Sequence, residues 1–164
     1  MILKTENFTI SEATKEDEKG ILDVYNSNQL FLLSHMGRKE VSLEWLKQEH
    51  EEMKEMNFKT LIVKENFNDT VIGFIDFCPI EECYLSLLMV HNLYRSKGLG
   101  KEIYEEFENY IRMKKLKCIR IDVVYNYNKE VLHFWINRGF NEIEKTQLKW
   151  SHNLLDAIVM KKRL

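Results

Sequence analysis

Val90-His91-Asn92-Leu93-Tyr94-Arg95-Ser96-Lys97-Gly98-Leu99-Gly100-Lys101 is the stretch from which the rest of the chain reads. The apolar run Leu85 to Val90 before it has the character of a buried strand. From Gly98 onward Leu99, Ile103, Phe107, Tyr110 and Ile111 recur at three- and four-residue intervals, the period of an amphipathic helix. The turn between them therefore sits at a helix N-terminus, where unpaired N–H groups and the helix dipole attract anions. Gly98 and Gly100 let backbone approach a bulky group, and Arg95, Lys97 and Lys101 add positive charge. Such a turn is suited to a pyrophosphate.

Two familiar phosphate motifs do not fit. The P-loop pattern fails because Gly98 and Gly100 are too close and Glu102 follows Lys101. The dinucleotide pattern G-x-G-x-x-G fails because its third glycine would fall at Ile103, just before Tyr104. What remains is R-x-x-G-x-G after a strand, Arg95-Ser96-Lys97-Gly98-Leu99-Gly100. This resembles the acetyl-CoA-binding motif of the GCN5-related N-acetyltransferases. A second block, Asn128 to Phe140, is similar to that family's N-x-x-A-x-x-F-Y-x-x-x-G-F segment, with Val131, Phe134 and Trp135 on one helical face and Gly139 at the C-cap. The blocks stand in family order, separated by a helix of about four turns and a strand, Cys118 to Val124. The resemblance runs from Phe8 to Leu164.

With 164 residues, the chain reads as one domain over 1–164, long enough to bury about two-thirds of its surface. A hydrophobic content of 45%, with 30% charged residues, is globular rather than disordered. A net charge of -2 offers no field to hold nucleic acid, and the basic run Arg112, Lys114, Lys115, Lys117 reads as the solvated end of a helix. No apolar segment approaches the roughly 20 residues that span a bilayer. Met1-Ile2-Leu3-Lys4 lacks the apolar core of a signal peptide, so the expected location is the cytoplasm. There, Cys78, Cys83 and Cys118 are expected as free thiols. No zinc spacing joins them, and His50-Glu51 lacks the second histidine of a zincin because position 54 is Lys54, so no metal site is expected.

Along the chain, Phe8 to Ala13 alternates as a strand, Thr14 and Asp17 start a helix, and Ser42 caps another. Asn26 to Arg38 reads as a turn-rich connection with an apolar centre. Lys59 to Lys64 and Val71 to Cys78 form a hairpin, Cys83 to Val90 continues the meander, and Glu142 to Ser151 and Leu155 to Lys162 close the chain. The resulting order, β-α-α-β-β-β-α-β-α-β-β, is α/β with a mixed twisted sheet of about seven strands and helices on both faces. The resemblance implies that the fourth and fifth strands splay and that the pantetheine arm of acetyl-CoA lies between them. Leu88, Met89 and Val90 would then offer backbone groups to it, Arg95 to Lys101 would hold the phosphates, and Asn128, Phe134 and Trp135 would complete the cofactor site.

Amine acetylation needs a neutral nucleophile, and an alkyl amine of pKa near 10 is only about one part in a thousand neutral at pH 7. Period-two alternation puts Cys83, Leu85, Leu87 and Met89 on one face of their strand and Glu82, Tyr84 and Ser86 on the other. Many resembling proteins carry a glutamate where this chain has Ser86. Glu82 is thus the first candidate base, or simply an exposed turn glutamate, with Asp122 and Asp76 as alternatives. Trp135 stands where the family often has a tyrosine, and an indole N–H is not an acid for a departing thiolate. It reads as a packing wall, and the acid is unassigned. Phe31 and His35 fall where the family builds its acceptor wall, though the same run could tuck the connection onto the core. The resemblance implies an acetyl-CoA-dependent N-acetyltransferase acting on a small primary amine. The alternative is a non-catalytic acyl-CoA-binding module. A homodimer is compatible with either.

Overall fold

The computed structural model describes residues 2–150 and 152–164. The chain runs β1 (Leu3–Lys4), β2 (Phe8–Glu12), α1 (Glu18–Ser27), α2 (Gln29–Met36), α3 (Leu43–Glu55), β3 (Lys59–Glu65), β4 (Val71–Ile80), β5 (Glu82–Val90), α4 (Leu99–Met113), β6 (Cys118–Val124), α5 (Lys129–Asn137), β7 (Asn141–Trp150) and β8 (Asn153–Arg163). One mixed sheet carries the strands in the order β1-β2-β3-β4-β5-β6-β8-β7. Only β5 and β6 pair in parallel; every other neighbour is antiparallel. The described strands number eight, one more than expected, because the two-residue β1 pairs with β2. Ser151, the expected end of its strand, lies outside the described residues.

Helices cover both faces of the sheet. On one, Ile103, Tyr104, Phe107 and Ile111 of α4 and Trp135 of α5 pack on Ile75, Phe77, Leu85, Ile119 and Ile121. On the other, Ile21, Val24 and Tyr25 of α1, Leu32 of α2 and Leu46 of α3 pack on Ile62, Phe74 and Met89. Burying a large side chain such as Phe107 stabilises the fold by roughly 1.5–3 kcal/mol. The caps fall where the side chains dictate. Ser42 Oγ accepts the Trp45 N–H at 3.1 Å and Asn128 Oδ1 accepts that of Glu130 at 3.0 Å. Asp17 Oδ2 accepts the Thr14 N–H at 2.8 Å. The three cysteines are free. Among the described residues, no helix is long and apolar enough to cross a membrane.

Two sequence expectations fail, each for a physical reason. The connection after α1 is not an irregular turn but the helix α2, closed by Gly37 at φ +70°. Its apolar residues are not confined to one face, since Leu32 is buried while Leu30 and Leu33 are exposed, so no 3.6-residue stripe announces it. The second failure is the alternation in β5. Asp76 pairs with Leu87 and Phe77 with Leu85, which leaves Ser86 as the extra residue of a bulge. A one-residue insertion reverses the facing of everything beyond it. Cys83 and Leu85 accordingly face α4 and α5, Leu87 and Met89 face α1 and α3, and Leu88 and Val90 return to the α4 side.

Candidate active site

The bulge opens the sheet. β5 and β6 are paired only at Cys83–Ile119 and Tyr84–Arg120, whereas β6 stays paired with β8 through Val124. From Leu85 onward the side of β5 that faces β6 has no strand partner among the described residues. The His91 N–H donates to Ile72 O at 2.8 Å, so Gly73 and Val90 form a non-hydrogen-bonded pair. The N–H of Val90, and by alternation the N–H and C=O of Leu88, point away from β4 into the gap, while Val90 O accepts from Asn28 Nδ2 at 3.0 Å. Met89 turns its own backbone groups to β4, which corrects the expectation that all three residues serve the cleft. Gly73 is required here: a Cβ would lie 2.8 Å from Met89 O, and that rung would be pushed out of register.

Above the gap sits the cradle. A single 3-10 turn, Asn92–Tyr94, leads through Arg95 and Ser96 to Gly98, whose φ of +76° is the left-handed conformation that glycine adopts without strain. The first intrahelical bond of α4 runs from Glu102 N–H to Gly98 O at 3.2 Å, which leaves the amides of Leu99, Gly100 and Lys101 free for an anion. Arg95, Ser96, Lys97 and Gly98 are exposed. Arg95, Ser96 and Gly100 share one hollow with Leu88, Val90, Asn128, Phe134 and Trp135, which adjoins the gap. Lys97 rests over the Tyr94 ring and Lys101 pairs loosely with Glu105 at 3.8 Å. Trp135 is buried edge-on among Tyr104, Phe134 and Phe140.

The gap itself is a cavity of about 140 Å³. Ser86 and Asp122 line it; Glu82 and Asp76 do not. Glu82 lies at the opposite end of β5, eight residues or roughly 26 Å from Val90, held by Lys161 Nζ at 2.9 and 3.2 Å. Asp76 is buried against Thr60, whose hydroxyl donates to it at 2.6 Å. Asp122 accepts from Arg120 Nε at 3.0 Å and Nη2 at 3.2 Å, and from the Tyr84 hydroxyl at 3.3 Å. Its lone pairs are thus engaged within the sheet.

The far wall comes from α2. His35 is 4% exposed and stacks on Phe31 with ring centroids 3.8 Å apart. Its Nδ1 lies 2.7 Å from Ser34 Oγ and 2.9 Å from Phe31 O; with the Ser34 hydroxyl donating to Phe31 O at 2.9 Å, both oxygens are acceptors for an Nδ1 proton, which leaves the lone pair on Nε2. Burial pushes the His35 pKa down to about 4, and the ring is neutral at physiological pH. Sequence reasoning missed three residues that complete this wall: Asn28, Tyr127 and Trp150. Tyr127 precedes the Asn128 cap, which could have flagged it; Trp150 is brought in only by the β7–β8 hairpin. Burial raises the Tyr127 pKa, keeping the phenol protonated.

The acetyltransferase (GNAT) family profile matches residues 23–140, from within α1 to the end of the second motif block. No curated protein matches the chain. Among solved structures, the ribosomal-protein-alanine N-acetyltransferase of Brucella melitensis superposes with a TM-score of 0.72 at 20% identity, over 95% of this chain and 99% of that one. The PaiA N-acetyltransferase of Thermoplasma acidophilum in complex with coenzyme A gives 0.66 at 19%, over 96% and 99%. An acetyltransferase from Thermus thermophilus gives 0.76 at 16%, over 99% of both chains. At these identities the likeness is one of fold.

Proposed function

We propose, for a chain that belongs to the acetyltransferase (GNAT) family, that it transfers the acetyl group of acetyl-CoA to the primary amine of a small molecule. The observation that carries this reading is the parting of β5 from β6 directly beneath the open amides of α4. Pantetheine amides would pair with the edge of β5 at Leu88 and Val90 as a missing strand does. The pyrophosphate would meet the Leu99 to Lys101 amides, Ser96 and the Arg95 guanidinium, with Asn128, Phe134 and Trp135 along the arm.

The reaction is direct. The amine lone pair attacks the thioester carbon, the C–S bond breaks, the nitrogen gives up a proton and the departing thiolate takes one. A buried aromatic wall admits the neutral amine in preference to the ammonium, because burial penalises charge. His35 Nε2 accepts an amine N–H without becoming charged. Tyr127 supplies the proton to sulfur and regains one through water from the nitrogen. Glu82 takes no part, since it lies outside the cleft and is paired with Lys161.

Arg95→Ala tests the cradle. A charge-assisted contact to phosphate is worth about 1.5–3 kcal/mol, so the KM for acetyl-CoA should rise roughly ten- to a hundredfold while that of the amine stays unchanged. An unchanged KM for acetyl-CoA contradicts the assignment of Arg95 to the phosphates.

A further inference from the structure

Four aromatic rings from three distant parts of the chain converge on one end of the cleft. Phe31 and His35 stack; Trp150 meets them edge-on at 5.8 and 5.5 Å, and Tyr127 at 6.5 and 5.2 Å. All four line one end of the cavity of about 140 Å³ between β5 and β6. Around them the charges are already spent. Arg95, the only cation on the cavity wall among the described residues, belongs to the cradle end, and the only carboxylate, Asp122, is held by Arg120. No charged side chain among the residues lining the aromatic end is left to pair with a substrate carboxylate or the distal ammonium of a polyamine.

A second observation points to the ligand. Asn28 is 3% exposed and lines the same cavity. Its Nδ2 donates to Val24 O at 2.8 Å and Val90 O at 3.0 Å, which fixes the amide orientation and uses both protons. Its Oδ1 is buried without a partner. A buried acceptor left unpaired is costly, and the cost is relieved when a ligand brings an N–H.

Resting on the transferase reading above, the geometry points to an arylalkyl monoamine as the acceptor: a primary amine on an aromatic carrier with no carboxylate and no second charge. The ring enters among Phe31, His35, Tyr127 and Trp150, where its edges and faces find aromatic partners. The amine N–H is taken by Asn28 Oδ1 beside Val90, on the rim along which the pantetheine lies. A carboxylate on the α-carbon would be stranded against these rings, and a site rejects an ion it can neither solvate nor pair.

The test is thiol release from saturating acetyl-CoA with 2-phenylethylamine, L-phenylalanine, spermidine or an alanine-led peptide, with acetyl-CoA binding followed separately by thermal shift. The expected result is a kcat/KM for 2-phenylethylamine at least tenfold above each of the others. Trp150→Ala, at the half-buried rim, should raise the KM for 2-phenylethylamine tenfold or more and leave that of acetyl-CoA unchanged. Preference for any of the other three amines, or an indifferent Trp150→Ala, overturns the assignment of the acceptor while transfer itself stands. Binding of acetyl-CoA with no turnover of any of the four overturns the transferase reading, and this inference with it.

Discussion

Gly100→Val is expected to fold normally and to lose acetyl-CoA. A Cβ at position 100 would sit 3.7 Å from the Phe134 ring and 3.9 Å from Val90 Cγ2, which is ordinary contact. The residue lies in the first turn of α4 without a positive φ, so a side chain costs the folded protein within about 1 kcal/mol. The same side chain would occupy the hollow in which, on the proposed reading, backbone meets the pyrophosphate. Affinity for acetyl-CoA should fall at least a hundredfold, about 2.7 kcal/mol, and the thermal shift produced by the ligand should vanish. Urea denaturation without ligand, compared with calorimetric titration, separates the two effects. Unimpaired binding would show that no ligand approaches this turn. Gly98→Val is the less informative variant, because its left-handed backbone strains the fold itself.

Asp76→Asn should stabilise the protein, and only above acidic pH. The carboxyl is 2% exposed, and burial, opposed by the Thr60 hydrogen bond, raises its pKa to about 7. Its unfolded value is near 3.9, so the folded state binds the proton more tightly. Folding is therefore favoured below about pH 4, and that advantage drains away as pH climbs through 7. At pH 8 the native carboxylate is ionised in the core at a cost of about 2–4 kcal/mol relative to pH 4. Asparagine keeps the acceptor for Thr60 and carries no charge. Urea midpoints should thus show a gain of about 2–4 kcal/mol at pH 8 and little at pH 4. An equal change at both pH values contradicts the buried-carboxyl account.

What the sequence made legible was local. Residues within one turn of each other specify the Ser42 cap, the glycine-bearing basic turn before α4, and the stripe that buries α4. What it hid depends on register or on distance. Nothing in Leu85-Ser86-Leu87 distinguishes a straight strand from a bulged one, yet that single extra residue turns Leu87 and Met89 to the other face and parts β5 from β6. Alternation therefore misled for every residue beyond Ser86. Glu82 read as a free base because its partner, Lys161, is 79 residues away. The far wall of the cavity was half visible: Phe31 and His35 stood out in an apolar run, whereas Asn28 and Trp150 join them only through contacts that no local pattern encodes.

The distinction between a transferase and a module that merely holds acyl-CoA turns on one reaction. Acetyl-CoA labelled with carbon-13 in its acetyl group is incubated with the protein and each of the four amines, and the products are weighed by mass spectrometry. Acetyl transfer across the β5–β6 cleft predicts an N-acetylated amine carrying both labelled carbons, with free CoA formed in equal amount. Labelled acetyl-CoA recovered intact from a protein that demonstrably binds it, with none of the four amines modified, would contradict that account.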